Sequence, residues 1–86
     1  MMASIREILA RHGRLAVDVN QLHEDGDLYQ AGLTSLATVG VMLALEDHFH
    51  IEFPDSALGR KTFSSIASIA EVIAELVGTN SELVMS

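Results

Sequence analysis

The chain contains no cysteine, no tryptophan, a single proline and only five lysine or arginine residues among 86. Without cysteine there is no disulfide framework and no thiolate zinc site, so packing alone must hold the fold. Any thiol the protein uses would have to be imported on a prosthetic group. The shortage of basic residues, set against twelve acidic ones, gives a net charge of −7. Such a chain repels nucleic acid and anionic membranes, and suits partners that present basic patches. No segment approaches the roughly 18 consecutive apolar residues of a membrane span. The N-terminus lacks a basic stretch followed by an apolar run and a cleavage site, so a soluble, cytoplasmic protein is expected.

What is present is apolar. Hydrophobic residues make up 49% of the chain, enough for one small core. A single domain over 1–86 is expected, with an ordered core over about 3–78 and a frayed tail at 79–86. Ile5, Ile8 and Leu9 recur at helical spacing over about 3–13, with Ser4 and Glu7 placed as a capping box and Gly13 as the stop. A long connection follows from Arg14 to Leu33. Val17, Val19, Leu22, Leu28 and Leu33 are spaced to pin it to the core, and Asp25-Gly26-Asp27 marks a turn.

The second helix is predicted from Ser35 to His48 or Phe49, with Leu36, Val39 and Leu43, or Leu36, Val39 and Met42, as its buried stripe. Val41, Ala44 and Leu45 spread apolar character around most of its circumference, so it is either central or exposes apolar surface. Phe53-Pro54-Asp55 breaks the chain, and a short helical turn at about 56–59 follows. A last helix over about 64–77 places Ile66, Ala70, Ile73 and Val77 on one face, with Ile69 and Leu76 alongside. Gly78 is its expected end, and Leu83 and Val84 could still dock. The fold class is therefore all-α: a small four-helix bundle of three main helices plus one short one.

Thr34-Ser35 stands at the start of the second helix, just after the turn-forming Gly32. By position alone Ser35 is an ordinary helix-start serine. A hydroxyl there is also suited to carry a phosphodiester, because free backbone N–H groups and the helix dipole stabilise the phosphate. The surrounding string decides between the two. Asp27-Leu28, then Gly32-Leu33-Thr34-Ser35-Leu36, then Ala44-Leu45-Glu46-Asp47-His48-Phe49, Ile51-Glu52-Phe53-Pro54-Asp55 and Thr62-Phe63-Ser64-Ser65-Ile66 follow in order over about residues 5–77. Together they resemble the acyl and peptidyl carrier proteins.

The resemblance implies a bundle of acyl-carrier-protein type in which Ser35 bears 4′-phosphopantetheine, and cargo held on that arm as a thioester. It implies a substrate of other enzymes rather than a catalyst. The arm would come from coenzyme A through a phosphopantetheinyl transferase. Partner recognition is assigned to Gly32, Leu33, Thr34, Leu36, Val39, Gly40, Glu46 and Asp47. Carriers of fatty acid synthesis usually have aspartate before the serine, where this chain has Thr34, and acids near Ala37 and Gly40; only Glu46 and Asp47 keep the acidic character. Thr34 can still cap the helix, but the charge that would meet a basic partner is gone. The pattern is most similar to standalone bacterial carriers charged with an amino acid. Those are loaded by ligases related to the seryl-tRNA synthetase core and pass the cargo to a downstream acceptor enzyme; another acyl-loading enzyme is the alternative. A monomer is expected.

Gly40 inside a helix is explained either by close packing against a neighbour or by a smooth patch for a partner. His12, His23, His48 and His50 lack the partners and spacing of a metal site, so none is expected. The chain has no Gly-x-Ser-x-Gly elbow, which argues against a hydrolase. The rival reading is an unmodified helical adaptor whose second helix fills a partner's groove.

Overall fold

The computed structural model describes the backbone of residues 1–85 and the side chains of residues 1–78. Three α-helices and two short 3-10 turns make up the regular structure, and there is no strand among the described residues. Helix α1 spans Met2–His12, α2 spans Ser35–Phe49 and α3 spans Ile66–Met85. The fourth, short element predicted from sequence is a single 3-10 turn at Asp55–Ala57, slightly earlier than expected. A second such turn, Val19–Gln21, lies unpredicted in the connection. No helix is long and apolar enough to cross a membrane among the described residues.

Helix α1 packs against both α2 and α3. Ile5 and Leu9 of α1, Val41 and Leu45 of α2, and Ile66, Ile69 and Ile73 of α3 are fully buried, together with Leu28 from the connection. Burial of each such side chain is worth about 1.5–3 kcal/mol. Phe53 and Phe63, with ring centroids 5.6 Å apart, extend this core beyond the end of α2.

Helix α1 starts earlier than its apparent cap. Met1 is the N-cap and supplies no side-chain hydrogen bond, so Ser4 lies inside the first turn and the capping box does not form. Glu7 instead pairs with Arg11 at 2.9 Å on the surface. Gly13 is the C-cap of α1, in a right-handed conformation, and the close approach of the backbone there favours a residue without a side chain. A Cβ there would lie 2.7 Å from the carbonyl oxygen of Leu9, whose hydrogen bond the Gly13 N–H fills. The left-handed residue is the next one, Arg14, with φ 51°.

The long connection is tolerated because its backbone is satisfied from outside itself. The Arg6 guanidinium donates to the carbonyls of Val19 and Leu22 at 2.6 and 2.9 Å. Leu28 N–H donates to Ser64 O at 2.8 Å, and Ala67 N–H to Glu24 O at 2.9 Å. Val19, Leu28 and Leu33 are buried as predicted, and Leu22 packs against the core, whereas Val17 is exposed.

Two further boundaries differ from expectation. Helix α3 begins at Ile66 rather than at about 64, capped by Ser65, whose hydroxyl accepts the Ser68 N–H at 3.1 Å. Gly78 does not stop the helix, which continues to Met85; the gap left by a missing side chain there is open space, so nothing forces a turn. The expected docking of Leu83 and Val84, and the frayed tail, lie outside the residues whose side chains are described.

Candidate functional site

Ser35 is the first residue of α2, exposed, and its hydroxyl has no partner among the described residues. Its position is built by the residues before it. Asp27 folds the approach into a turn, its carboxylate accepting the Tyr29 N–H at 2.9 Å. Leu28 and Leu33 are buried and joined by a Leu33 N–H to Leu28 O bond of 3.0 Å, which anchors the loop one residue short of Thr34. Thr34 then caps α2, its Oγ1 accepting the Ala37 N–H at 3.1 Å. The N–H groups of Ser35 and Leu36 remain without an intrahelical partner. With the helix dipole, they make this end of α2 favourable for a phosphate.

Several residues assigned to recognition have other duties. Gly32 serves the backbone: its φ is +112°, and a Cβ would approach Ala16 N to 2.9 Å. Leu33 is core. Glu46, expected to lend α2 an acidic surface, is turned onto its own chain, where Oε2 accepts the Phe53 N–H at 2.9 Å. Asp47 remains exposed.

Leu36, Val39 and Leu43, one of the two candidate buried stripes, are instead 86, 50 and 56% exposed, so Leu36 and Val39, also assigned to partner recognition, stand on the surface. The core face of α2 is Val41 and Leu45, with Met42 packed alongside. Gly40 meets no neighbour: a Cβ would find nothing within 4 Å, which removes the close-packing explanation. A mid-helix glycine costs about 1 kcal/mol against alanine, so Gly40 is a local cost that the monomer does not recover.

Two grooves flank this end of α2. One, of about 320 Å³, is lined by Ser35 itself with Tyr29, Val39, Met42, Leu58 and Phe63. Tyr29 is steadied by its hydroxyl donating to Arg60 O at 2.9 Å and by the Arg60 guanidinium 3.9 Å above the ring. Partial burial raises its phenol pKa above the ordinary 10, against the pull of Arg60. The other, of about 540 Å³, is lined by Arg11, His12, Arg14, Thr34, Leu36 and Gly40, among others. Neither is lined by a carboxylate. Arg11, His12 and Arg14 carried no sequence signal, because they precede Ser35 by more than twenty positions and meet α2 only in the folded chain. No group of histidines and carboxylates is arranged for a metal among the described residues.

Comparison with known proteins decides what this serine-headed helix belongs to. The family model described as the phosphopantetheine attachment site matches residues 3–80. The chain belongs to that family of carrier proteins. The carrier is 49% identical to an aminoacyl carrier protein of Agrobacterium fabrum over 85% of this chain and 88% of that protein. It is 40% identical to a D-alanyl carrier protein of Streptococcus uberis, over 69% of this chain and 75% of that one. In solved structures it resembles the Agrobacterium tumefaciens carrier protein complexed with an engineered Bradyrhizobium japonicum glycine:[carrier protein] ligase and AMP. That likeness has a TM-score of 0.84 at 49% identity and covers 86% of this chain and 99% of the other. As a family member the carrier is a substrate that holds cargo and does not itself catalyse. The unmodified-adaptor alternative falls with that membership.

The group this family attaches is 4′-phosphopantetheine. The residues present fit it: a free hydroxyl, two unpaired N–H groups beside it and no carboxylate lining the adjoining grooves.

Proposed function

We propose that the carrier bears its 4′-phosphopantetheine on Ser35 and is loaded with an aminoacyl group. The observation that carries this reading is the exposed, unpartnered Ser35 hydroxyl at the first position of α2. When bound, the group supplies the terminal thiol that takes cargo as a thioester, a thiol this cysteine-free chain lacks. The chain's own residues hold and present. Thr34 fixes where α2 begins and so sets Ser35 at its exposed first position; Gly32, Leu28 and Leu33 anchor the approach; the Ser35 and Leu36 N–H groups would help hold the phosphate.

Aminoacyl cargo is supported by the aminoacyl and D-alanyl relatives and by the absence of any acidic residue in the first turn of α2. A neutral start to α2 suits few of the basic docking faces that read acidic carriers, since rim charge chooses partners. The exposed Leu36, Val39 and Leu43 offer apolar contact area instead. The partners in this reading are a phosphopantetheinyl transferase, an amino acid:carrier protein ligase and a downstream acceptor enzyme. A cytoplasmic location belongs to the same proposal, because both coenzyme A and the ATP for loading are there.

The test is intact mass. Incubation with coenzyme A and a broad-specificity transferase should add one phosphopantetheine to the wild type and none to Ser35→Ala. Glycine, ATP and the glycine:[carrier protein] ligase should then add one glycyl group to the holo form. A folded wild type and a folded Thr34→Asp variant that both stay unmodified would overturn the Ser35 assignment.

A further inference from the structure

Three residues make local choices that the isolated fold does not reward, and all three line the same groove. Arg14 takes the left-handed conformation that ends α1, as His50 does at the end of α2, although it is not a glycine. Gly40 weakens the middle of α2 although a Cβ there would meet nothing within 4 Å. Leu36 leaves almost its whole side chain in water, 86% exposed. They meet in the hollow of about 540 Å³ between the end of α1 and the first turns of α2. Departures from local preference that the fold does not explain concentrate where a protein meets something else.

The charge of this groove identifies what it meets. Arg11, His12 and Arg14 line it and no carboxylate does. Arg11 is already paired with Glu7 at 2.9 Å. Arg14 is exposed, with no ion-pair or hydrogen-bond partner among the described residues. An uncommitted guanidinium at the rim of a groove with Leu36 and the bare backbone of Gly40 inside it is complementary to a carboxylate set beside an apolar side chain.

We propose that this α1–α2 groove docks an acidic, apolar-tipped element of the enzyme that loads the carrier, with a carboxylate on Arg14 and a side chain packed over Gly40. The proposal rests on the aminoacyl-loading reading above. It reverses, on this face, the polarity expected from the net charge of −7. Val39, by contrast, lines the groove on the other side of Ser35.

The two variants that test it should fold at least as well as the wild type. Arg14→Gly relieves the left-handed residue, and Gly40→Leu improves helix propensity at a position where an added Cβ meets nothing within 4 Å. Each holo variant, its phosphopantetheine confirmed by mass, is loaded by the glycine:[carrier protein] ligase over a range of carrier concentrations. Both are expected to raise KM for the carrier about tenfold, with kcat within about twofold. Arg14→Glu should raise KM further, and added salt should weaken loading of the wild type more than of Arg14→Gly. Glu71→Lys, on the exposed surface of α3, serves as the charge control and should load like the wild type. Wild-type KM in both Arg14→Gly and Gly40→Leu would overturn the groove while leaving the Ser35 reading intact. A holo wild type that the ligase does not load would overturn the aminoacyl reading, and this proposal with it.

Discussion

The Oγ1 of Thr34 accepts the N–H of Ala37 at 3.1 Å, so the residue immediately before Ser35 is what begins α2. The Thr34 carbonyl also accepts the Thr38 hydroxyl at 2.7 Å. The start of the helix is thereby fixed at one residue, which places Ser35 at its first position. Polarity is secondary to this; a cap needs an acceptor oxygen, and threonine has one.

Thr34→Ala should therefore destabilise the carrier by about 1 kcal/mol, lowering the melting temperature by about 4–8 °C for a domain this small. Thr34→Asp should keep the cap and gain from a negative charge at the helix N-terminus. Thermal unfolding followed by circular dichroism separates them: alanine below the wild type, aspartate equal or above. Equal melting of all three would remove Thr34 as the determinant of the α2 start.

Glu46 has been withdrawn from the surface by its bond to Phe53 N–H at 2.9 Å. Glu46→Ala leaves that N–H, beside a buried phenylalanine, without its partner, and should cost about 1.5–3 kcal/mol. Glu46→Gln retains an acceptor and should cost less than half as much. Urea denaturation of the two variants gives the ordering, and a larger loss for glutamine would contradict it.

Gly32→Ala meets two obstacles at once, a φ of +112° and a Cβ position 2.9 Å from Ala16 N. We expect a loss of about 1–3 kcal/mol, together with slower modification of Ser35 as the loop before it is displaced. A variant as stable as the wild type would mean that the Gly32–Ala16 crossing yields easily.

Leu43 and Leu45, two positions apart on α2, are 56% and 0% exposed. Leu45→Ala should cost about 2–5 kcal/mol, and Leu43→Ala should change stability by no more than about 0.5 kcal/mol. Chemical denaturation of this pair tests which face of α2 is the core; the stripe of Leu36, Val39 and Leu43 read from sequence predicts the opposite order.

That misread face shows where sequence reasoning stops. Spacing fits Leu36, Val39 and Leu43 as well as Leu36, Val39 and Met42, with Val41, Ala44 and Leu45 spread around the rest of α2; packing against α1 buries Val41 and Leu45, which neither stripe contains. In α3 the apolar residues gather on one side, and Ile66, Ile69, Ala70 and Ile73 are buried as their spacing predicts. The α1 cap failed for a related reason: Ser4 and Glu7 have the right spacing, but helical geometry begins at Met2 and Arg11 takes the glutamate. Gly78 is permissive of a stop without requiring one, and α3 continues through it.

The sequence by itself determined the all-α class, the start of α2 at Thr34-Ser35, the exposed hydroxyl and the absence of any resident thiol. These follow from short-range chemistry: caps, turn residues, periodicity and composition act within a few positions. The tertiary structure alone decided that Val41 and Leu45 form the core face of α2, that Glu46 faces inward, and that Arg14 and Gly40 share a groove. Each of those depends on which elements are brought together across the chain, and that is settled by packing α1 against α2 and α3 rather than by any residue's own preference.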